Sequence, residues 1–355
     1  METNFHMEHL EKYDVLTLIR VRQTVLFNDR LRKQIDNNLR ERNCIEDLQN
    51  LEHKNHDAEI QNTIGLCYDY GWCGAQEDKK TAFDWFKKSA EQEYAAAHYN
   101  LGKCYANGTG CERDEKEAFE WYMKSAEQGY AIAQLNLGVC YAEGRGCLQD
   151  DKKAFEWYMK SAKQGFSVAQ NNLAVYYGLG RGCKKDEKEA FEWYMKSAKQ
   201  EYAEAQFNLG DCYYEGRGCA QDFKIAFGWY KKSAEQGNAA AQCSLGYCYA
   251  FGKGCTQDYK KAFEWHKKSA EQGNATAQNN LGFCYEYWRG CTKDDKKAFE
   301  WYKKSAEQGS SIAQKNLGFC YENGIGCEKD EQKAFEWYKK ASEQGNEDAT
   351  QWSYL

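Results

Sequence analysis

The sequence predicts an all-α protein, an α-solenoid superhelix built from helix-turn-helix repeats of 36 residues. Three observations predict this fold: a 36-residue period, helical spacing of the apolar residues in each unit, and the absence of proline from all 355 residues. Proline breaks helix interiors, and an average chain of this length would contain on the order of 18 prolines. We number repeats 1 to 8 by the tryptophans that mark the period, which are Trp85, Trp121, Trp157, Trp193, Trp229, Trp265, Trp301 and Trp337.

The period divides the chain into three parts. Residues 1–57 do not repeat, residues 58–345 hold the eight repeats, and residues 346–355 begin a ninth repeat that stops. We expect residues 1–57 to cap the outer face of repeat 1, because the terminal faces of solenoids need covering. A dimerisation segment or a partner-binding arm is the alternative. Apolar spacing predicts amphipathic helices there, one in VLTLIRVRQTVLF and one marked by Leu31, Ile35, Leu39, Ile45, Leu48 and Leu51.

Repeat 3 illustrates the helices and their boundaries. Its first helix carries an apolar stripe over residues 133–141, and its second helix carries another over residues 154–162. Gly144 is expected to end the first helix in a left-handed conformation, and Asp150 to cap the start of the second. Gly165 is expected to close the second helix, and two repeats have glutamate in its place.

Gly138 lies inside the first predicted helix, where glycine costs about 1 kcal/mol relative to alanine. It recurs in almost every repeat, and only Ala174 replaces it. We therefore expect the partner helix to approach closely at this position. Because one short helix pair cannot bury its apolar face alone, neighbouring repeats are expected to stack.

The repeat also resembles known families. Leu137, Gly138 and Tyr141, followed by Ala154, Tyr158 and Ser161, resemble the tetratricopeptide register, although the loop is longer and the final proline is missing. With the GxGC turn, the aspartate cap and KAFEWYxKSAEQGN, the pattern resembles the Sel-one-like repeat (SLR) from about residue 58 to the end. The resemblance implies a non-catalytic adaptor or scaffold, as in signalling or regulated protein degradation. The departures are one extra residue in YDYGWCGAQED, Trp288 in a glycine column and His266 in a tyrosine column.

Charge and composition limit the partner and the compartment. A net charge of −6 gives no basic field, so nucleic acid and anionic membranes are poor candidate partners. The first residues lack a basic leader followed by an apolar run, and no stretch approaches 18 apolar residues. We therefore expect no membrane insertion and a cytoplasmic or nuclear protein, in which the 17 cysteines are reduced thiols.

The cysteines recur in two columns, seven residues apart. This spacing is not that of a zinc site and no histidine column accompanies it, so we expect no metal. Small buried apolar groups are the favoured interpretation, and disulfides within repeats are the alternative. Tyr176 replaces the first column where Cys183 remains in the second, which argues against obligatory pairing. The columns are Cys104, Cys140, Cys212, Cys248, Cys284 and Cys320, then Cys111, Cys147, Cys183, Cys219, Cys255, Cys291 and Cys327.

No pattern typical of catalysis or of a cofactor site is found, so we expect neither an enzyme nor a cofactor. The tryptophan and tyrosine columns are expected in the core. Two histidine pairs, His6 with His9 and His53 with His56, are expected at the surface. A thiol-dependent enzyme is kept as an alternative, and it predicts a cysteine with a depressed pKa.

Partner specificity is expected where the repeats differ. The tetratricopeptide-like register places such positions on the first helix, along a concave face that gains exposed aromatic residues from about repeat 5 onward. The turn arginines Arg145, Arg181, Arg217 and Arg289 form either a basic ridge or a solvated edge. Self-assembly through residues 1–57 or the tail is the structural alternative. The predicted partner-binding residues are Tyr99, Phe207, Asp211, Tyr214, Tyr247, Phe251, Phe283, Tyr287 and Phe319.

Overall fold

The structure, a computed structural model, describes residues 14–18 and 29–345, and every regular element in that part of the chain is a helix. Most of the helix predicted over residues 15–27, the pair His6 and His9, and the tail from Asn346 lie outside the described residues. The two helices before the repeats are Asp29–Glu41 and Ile45–Asn55. The repeat helices are Ala58–Tyr70, Lys79–Ala90, Ala95–Asn107, Glu115–Glu127, Ala131–Glu143, Asp151–Lys163, Ser167–Leu179, Glu187–Lys199, Ala203–Glu215, Phe223–Glu235, Ala239–Phe251, Tyr259–Glu271, Ala275–Glu286, Asp295–Glu307, Ser311–Asn323 and Glu331–Glu343.

The chain forms two compact units, residues 1–186 and residues 187–355. The first unit contains the two helices before the repeats, repeats 1 to 3 and the first helix of repeat 4. The second contains the second helix of repeat 4 and repeats 5 to 8. Within each unit the two helices of a repeat pack on each other, and each second helix packs on the first helix of the next repeat. The fold is therefore an α-solenoid of 36-residue repeats, as predicted.

The predicted helix boundaries are confirmed in repeat 3. Gly144 ends the first helix with φ 71°, and the side chain of Asp150 accepts a hydrogen bond from the backbone N–H of Lys153 over 3.0 Å. The second helix is followed by Gly165 at φ 96°. Glu93 and Glu201 adopt the same left-handed conformation at φ 57° and 64° without being glycine. The packing of the repeat thus imposes this conformation against a penalty of about 1–2 kcal/mol for each glutamate.

The glycine inside the first helix lies under an aromatic ring of the second helix. A Cβ added to Gly138 would stand 2.6 Å from Cδ1 of Tyr158, well inside van der Waals contact. The predicted close approach is confirmed, and the contact is made by the tyrosine ring. The same arrangement occurs in the pairs Gly65 and Phe86, Gly102 and Tyr122, Gly210 and Tyr230, Gly246 and His266, Gly282 and Tyr302, and Gly318 and Tyr338.

Buried polar side chains connect the helices through hydrogen bonds. Within repeat 3 the hydroxyl of Ser161 donates to the carbonyl of Ala131 over 2.8 Å, and Gln164 Nε2 donates to Gln134 Oε1 over 2.9 Å. Gln134 Nε2 in turn donates to the carbonyl of Ala126 in repeat 2 over 3.1 Å. Each such glutamine therefore satisfies its buried amide by linking two repeats.

The tryptophan and tyrosine columns differ in burial: the tryptophans pack against the core, as predicted, but are only partly buried. Tyr158 is 3 % exposed, whereas Trp157 is half-buried. The ammonium of Lys160, three residues later on the same helix, lies 3.7 Å from the centroid of the Trp157 ring. A cation can stack on one face of an indole while the other face packs on the core.

The helices before the repeats share a core with repeat 1. Ile35, Leu39, Ile45 and Leu48 are buried in one cluster with residues 60–86. The single helix predicted over residues 31–51 is instead two helices. The chain breaks at Cys44, because the backbone N–H groups of Cys44 and Ile45 both donate to the carbonyl of Cys73, over 3.1 and 3.0 Å.

Two details of this region differ from the sequence prediction. Leu51 is 46 % exposed, so it does not belong to the buried stripe, and the side chain of Leu31 lies outside the described residues. His53 and His56 lie at the surface as predicted, but each has a carboxylate beside it. Their Nδ1 atoms lie 3.7 and 3.6 Å from Glu52 oxygens.

Candidate protein-binding groove

Exposed aromatic side chains collect on the first helices of repeats 6, 7 and 8. In repeat 6 the ring centroids of Tyr247 and Phe251 are 4.5 Å apart, and in repeat 7 those of Phe283 and Tyr287 are 4.6 Å apart. Residues four apart lie on the same helix face, so each pair forms one surface. The exposed fractions are 39 % for Tyr247, 61 % for Phe251, 45 % for Phe283, 50 % for Tyr287 and 43 % for Phe319.

Exposed aromatic residues begin at repeat 6 and not at repeat 5, which corrects the prediction. In repeat 5 the ring of Phe207 packs on that of Tyr230, with centroids 6.0 Å apart, and Asp211 Oδ1 accepts a hydrogen bond of 2.7 Å from the Tyr230 hydroxyl. Burial raises the pKa of Asp211 above its ordinary value. The side chains of Phe207 and Asp211 therefore both contact Tyr230 of their own repeat. The predicted binding residues that are half-buried are Tyr99, Phe207, Asp211 and Tyr214.

A cavity of about 440 Å³ opens between the exposed aromatic pairs of repeats 6 and 7. Its lining is mainly apolar and includes three of the predicted binding residues, with a few polar groups among them. We call it the repeat 6–7 cavity. The lining residues are Tyr247, Ala250, Phe251, Tyr259, Ala262, His266, Asn279, Asn280, Phe283, Cys284, Arg289, Ile312 and Asn316.

His266 explains why a cavity exists at this position. In repeats 7 and 8 the same column holds a tyrosine whose hydroxyl donates to a glutamate of the first helix: Tyr302 to Glu286 over 2.7 Å, and Tyr338 to Glu322 over 2.8 Å. In repeat 6 the corresponding residues are His266 and Ala250. The smaller ring and the missing carboxylate leave space that a phenol and its acceptor fill in the next repeats.

The imidazole of His266 is buried with one ring nitrogen left unpaired. The residue is 3 % exposed, and its Nδ1 has no hydrogen-bond partner among the described residues. Burial lowers the pKa of His266 to about 4, so the ring is neutral at pH 7. A buried polar atom left unpaired costs about 1–3 kcal/mol, and this nitrogen lies against Gly246, where an added Cβ would stand 2.7 Å from it.

The turn arginine of repeat 7 differs from those of earlier repeats in its partners. Arg145 pairs with Glu143 over 2.5 Å and Arg217 with Glu215 over 2.8 Å, each through the acid two residues before it. Tyr287 takes the place of that glutamate beside Arg289. Among the residues that the structure describes, no carboxylate lies within 4.0 Å of the Arg289 guanidinium.

Repeat 4 uses another acid for its turn arginine, and repeat 7 lacks that one as well. The guanidinium of Arg181 lies 2.6 Å from Asp151, thirty residues earlier. The corresponding residue for Arg289 is Tyr259, and the guanidinium carbon lies 4.5 Å from the centroid of that ring. Three of the four turn arginines are therefore paired with acids of the chain, and Arg289 beside the cavity is the one of the four without such a partner among the described residues.

Trp288 keeps the backbone conformation of the glycine that it replaces. Its φ is +57°, and the first helix of repeat 7 ends at Glu286. This left-handed conformation is kept against a penalty of about 1–2 kcal/mol, and the helix ends one residue earlier than the first helix of repeat 8 does. The indole is 68 % exposed, next to Arg289 at the edge of the cavity. A strained, exposed aromatic residue is typical of a functional surface.

The family follows from the repeats themselves. The Sel1 repeat pattern matches eight consecutive segments, residues 61–94, 95–130, 131–166, 167–202, 203–238, 239–274, 275–310 and 311–346. The chain belongs to the Sel1 repeat family. Comparison with curated proteins gave no match.

Two solved bacterial structures show the same architecture. A protective antigen of uropathogenic Escherichia coli with an SLR fold is 38 % identical, with a TM-score of 0.74 over 86 % of this chain. This chain spans 65 % of the length of that antigen. A Sel1 repeat protein of Oxalobacter formigenes is 32 % identical, with a TM-score of 0.63, and the match covers 87 % of this chain and 89 % of that one.

The first-helix face of the Sel1 array is different in the first unit. A smaller cavity of about 260 Å³ lies between repeats 2 and 3. Lys103 on its wall donates to Asp69 over 3.3 Å and to the Tyr70 hydroxyl over 2.9 Å. Tyr99 packs against Tyr130 at 5.6 Å between centroids. Because Lys103 and Tyr99 are engaged within the chain, this surface offers a partner fewer unengaged side chains than the first helices of repeats 6 to 8.

The cysteines of this Sel1 chain are free thiols in two environments. Burial raises the pKa of Cys140 to about 12, and the same holds for Cys104, Cys212, Cys248, Cys284 and Cys320. In the second column Cys147 is half-buried, and its thiol donates to the carbonyl of Cys140 over 3.6 Å. Every cysteine pKa that departs from its ordinary value is raised, so the depressed pKa expected of a thiol enzyme is not found.

The part of the chain that the structure describes offers neither a metal site nor a membrane-spanning helix. It holds no cluster of three or more histidine, cysteine or acidic side chains with metal-binding geometry. None of its helices combines the length and the apolar character that a membrane crossing requires.

Proposed function

We propose that the chain is a non-catalytic scaffold that binds an extended or helical segment of a partner protein on the first helices of repeats 6 to 8. Sel1 and tetratricopeptide-like repeats generally serve as protein-interaction scaffolds, and solenoids present long binding surfaces. The observation that carries the proposal is the set of exposed aromatic residues around the repeat 6–7 cavity. Rigid aromatic side chains are frequent anchors of protein interfaces.

The partner class and the setting are part of the same proposal. The net charge of −6 favours a protein over nucleic acid or an anionic membrane. The family resemblance supports a role in signalling or regulated degradation, in the cytoplasm or nucleus. Residues up to 57 act as a cap, which the shared cluster of Ile35, Leu39, Ile45 and Leu48 with repeat 1 supports.

Peptide selection with the purified full chain tests this function. Phage-displayed random dodecapeptides are selected on the protein, and enriched sequences are synthesised and titrated in solution. We expect the triple substitution of Tyr247, Phe251 and Phe283 by alanine to weaken binding at least tenfold, because it removes the aromatic walls of the cavity. Circular dichroism should show unchanged helix content, since these side chains are exposed.

The matched control removes equally exposed apolar side chains elsewhere. Leu148, Ile225 and Phe335 are 89, 41 and 39 % exposed and do not line the repeat 6–7 cavity. Their combined replacement by alanine is expected to leave peptide affinity within twofold of the original chain. The proposal fails if no peptide is enriched, or if the enriched peptides bind both triple variants equally well.

A further inference from the structure

We infer that the repeat 6–7 cavity recognises an acidic peptide, in which a glutamate or aspartate pairs with Arg289 while a neighbouring large apolar side chain enters the cavity against His266. This inference rests on the proposed function and adds the chemistry of the partner. Two observations carry it: a guanidinium without an acidic partner in the described part of the chain, and a cavity at the position where repeats 7 and 8 place a tyrosine bonded to a glutamate.

Charge complementarity points to the carboxylate. The other three turn arginines pair with an acid that lies either two or thirty residues earlier in the chain. For Arg289 both of these positions hold tyrosine, Tyr287 and Tyr259. The stacked Tyr259 ring holds the guanidinium beside the cavity and leaves its N–H donors available. Arginine binds carboxylates through two parallel hydrogen bonds, which fixes the geometry of such a pair.

Lys253 shows that the loss of both acidic partners of the turn cation extends over repeats 6 and 7. It occupies the same turn position in repeat 6, where Phe251 replaces the glutamate and Phe223 replaces the aspartate. Its ammonium lies 4.7 Å from the centroid of the Phe223 ring. Cations without acidic neighbours thus flank the aromatic surface on both repeats, which favours an acidic segment over a neutral one.

The shape of the cavity points to the apolar side chain. Tyr302 and Glu286 occupy in repeat 7 the volume that His266 and Ala250 leave open in repeat 6. Tyr247 and Phe283 form apolar walls, so a leucine, phenylalanine or tyrosine of the peptide would bury its surface there.

Two pools of terminally blocked dodecapeptides test the inference. Both carry a fixed leucine and a fixed tyrosine near the centre, and they differ only in a neighbouring position that is glutamate in one pool and glutamine in the other. Binding to the full chain is measured by fluorescence anisotropy at low salt. We expect the glutamate pool to bind at least threefold more tightly, and Arg289→Gln to abolish this difference.

Three variants locate the effect. Arg217→Gln is the matched control, because Arg217 lies in the same column and is already paired with Glu215, so the preference is expected to remain. Tyr287→Glu gives Arg289 the acid that Glu215 gives Arg217, and we expect the preference to disappear. The double change of Ala250→Glu with His266→Tyr copies the pair of repeat 7 and is expected to weaken both pools at least tenfold.

The outcomes separate this inference from the proposed function. Equal binding of the two pools, or a preference that survives Arg289→Gln, overturns the acidic specificity. It leaves the proposed function, peptide binding on the first helices of repeats 6 to 8, unaffected. Loss of binding in the aromatic triple variant with no effect of the Ala250 and His266 changes shows that the peptide binds beside the cavity. If neither pool binds the original chain, both the inference and the proposed function fail.

Discussion

Gly146 in the turn of repeat 3 lies against the carbonyl oxygen of Glu115, at the start of the second helix of repeat 2. Its φ is +69°, and a Cβ added there would overlap that backbone oxygen. The glycine therefore serves two purposes: it permits the left-handed turn, and it lets consecutive repeats touch through their backbones. The same contact recurs in both units, for example between Gly254 and Phe223.

Replacing Gly146 by alanine is expected to destabilise the first unit by about 3 kcal/mol or more, because conformational strain and a backbone clash add together. Gly165→Ala is the control, since φ is 96° but nothing lies within 4 Å of the added Cβ. It is expected to cost about 1 kcal/mol. Urea unfolding followed by circular dichroism compares the two variants. Equal costs would show that conformation alone requires Gly146.

Gly138→Ala is expected to destabilise the chain by about 1–3 kcal/mol, although alanine favours helices. The added Cβ would stand 2.6 Å from the Tyr158 ring. Gly228 also lies inside a helix, and nothing lies within 4 Å of its Cβ position. Gly228→Ala is therefore expected to stabilise by up to about 1 kcal/mol. Thermal unfolding of the two variants should shift in opposite directions, and shifts of the same sign would contradict the packing described.

Acid is expected to destabilise the second unit through His266. Its pKa is about 4 in the folded chain and near 6.5 when unfolded, so the unfolded state binds the proton more readily. With respect to this group, the free energy of unfolding is at its full value above pH 6.5 and decreases as the pH falls towards 4. Between pH 7 and pH 5 the loss amounts to about 2 kcal/mol.

His266→Phe removes the titrating group and serves as the reference for that measurement. The free energies of unfolding of the two proteins are measured by urea titration at several pH values. Their difference is expected to change by about 2 kcal/mol in favour of the variant on going from pH 7 to pH 5. Parallel pH curves would mean that the imidazole is hydrated in the folded chain.

The buried thiols are expected to react slowly with iodoacetamide. The thiolate is the reactive form, and a pKa of about 12 makes it scarce at pH 7.5 for Cys140 and its column. Mass spectrometry of the native chain should show labelling at least a hundredfold slower than in urea. The half-buried Cys147 is expected to react before Cys140. A single cysteine that reacts faster in the native chain than in urea would revive the thiol-enzyme alternative.

The sequence was sufficient for the repeat fold because its determinants are local or periodic. Asp150 and Gly144 act on their own helix ends, and Gly138 recurs wherever a ring covers it. The exposure of individual aromatic residues was harder to predict from the sequence, because it depends on which residues are neighbours in space. Phe207 and Phe283 both lie on first helices but at different positions of the repeat: Phe207 packs on Tyr230, whereas Phe283 lines the repeat 6–7 cavity and is 45 % exposed.

Other features depend on pairs of residues far apart in the chain. The helix break at Cys44 requires the carbonyl of Cys73, which no local pattern reveals. The cavity requires both His266 and Ala250. Their importance can be recognised only when the hydrogen bond between Tyr302 and Glu286, at the equivalent positions of repeat 7, is known. Comparison of each repeat with its neighbours at both positions is the signal that would have found it.

The chain of glutamine amides described above constrains how such an array can change in length. Gln242 and Gln278 each accept from a glutamine thirty residues later and donate to an alanine carbonyl eight residues earlier. Excision of 36 residues joins equivalent positions and preserves these glutamine bonds, whereas removal of part of a helix moves a glutamine out of its column and leaves a buried amide without its partner. Related arrays are therefore expected to differ in length mainly by whole repeats, with smaller changes confined to loops such as YDYGWCGAQED.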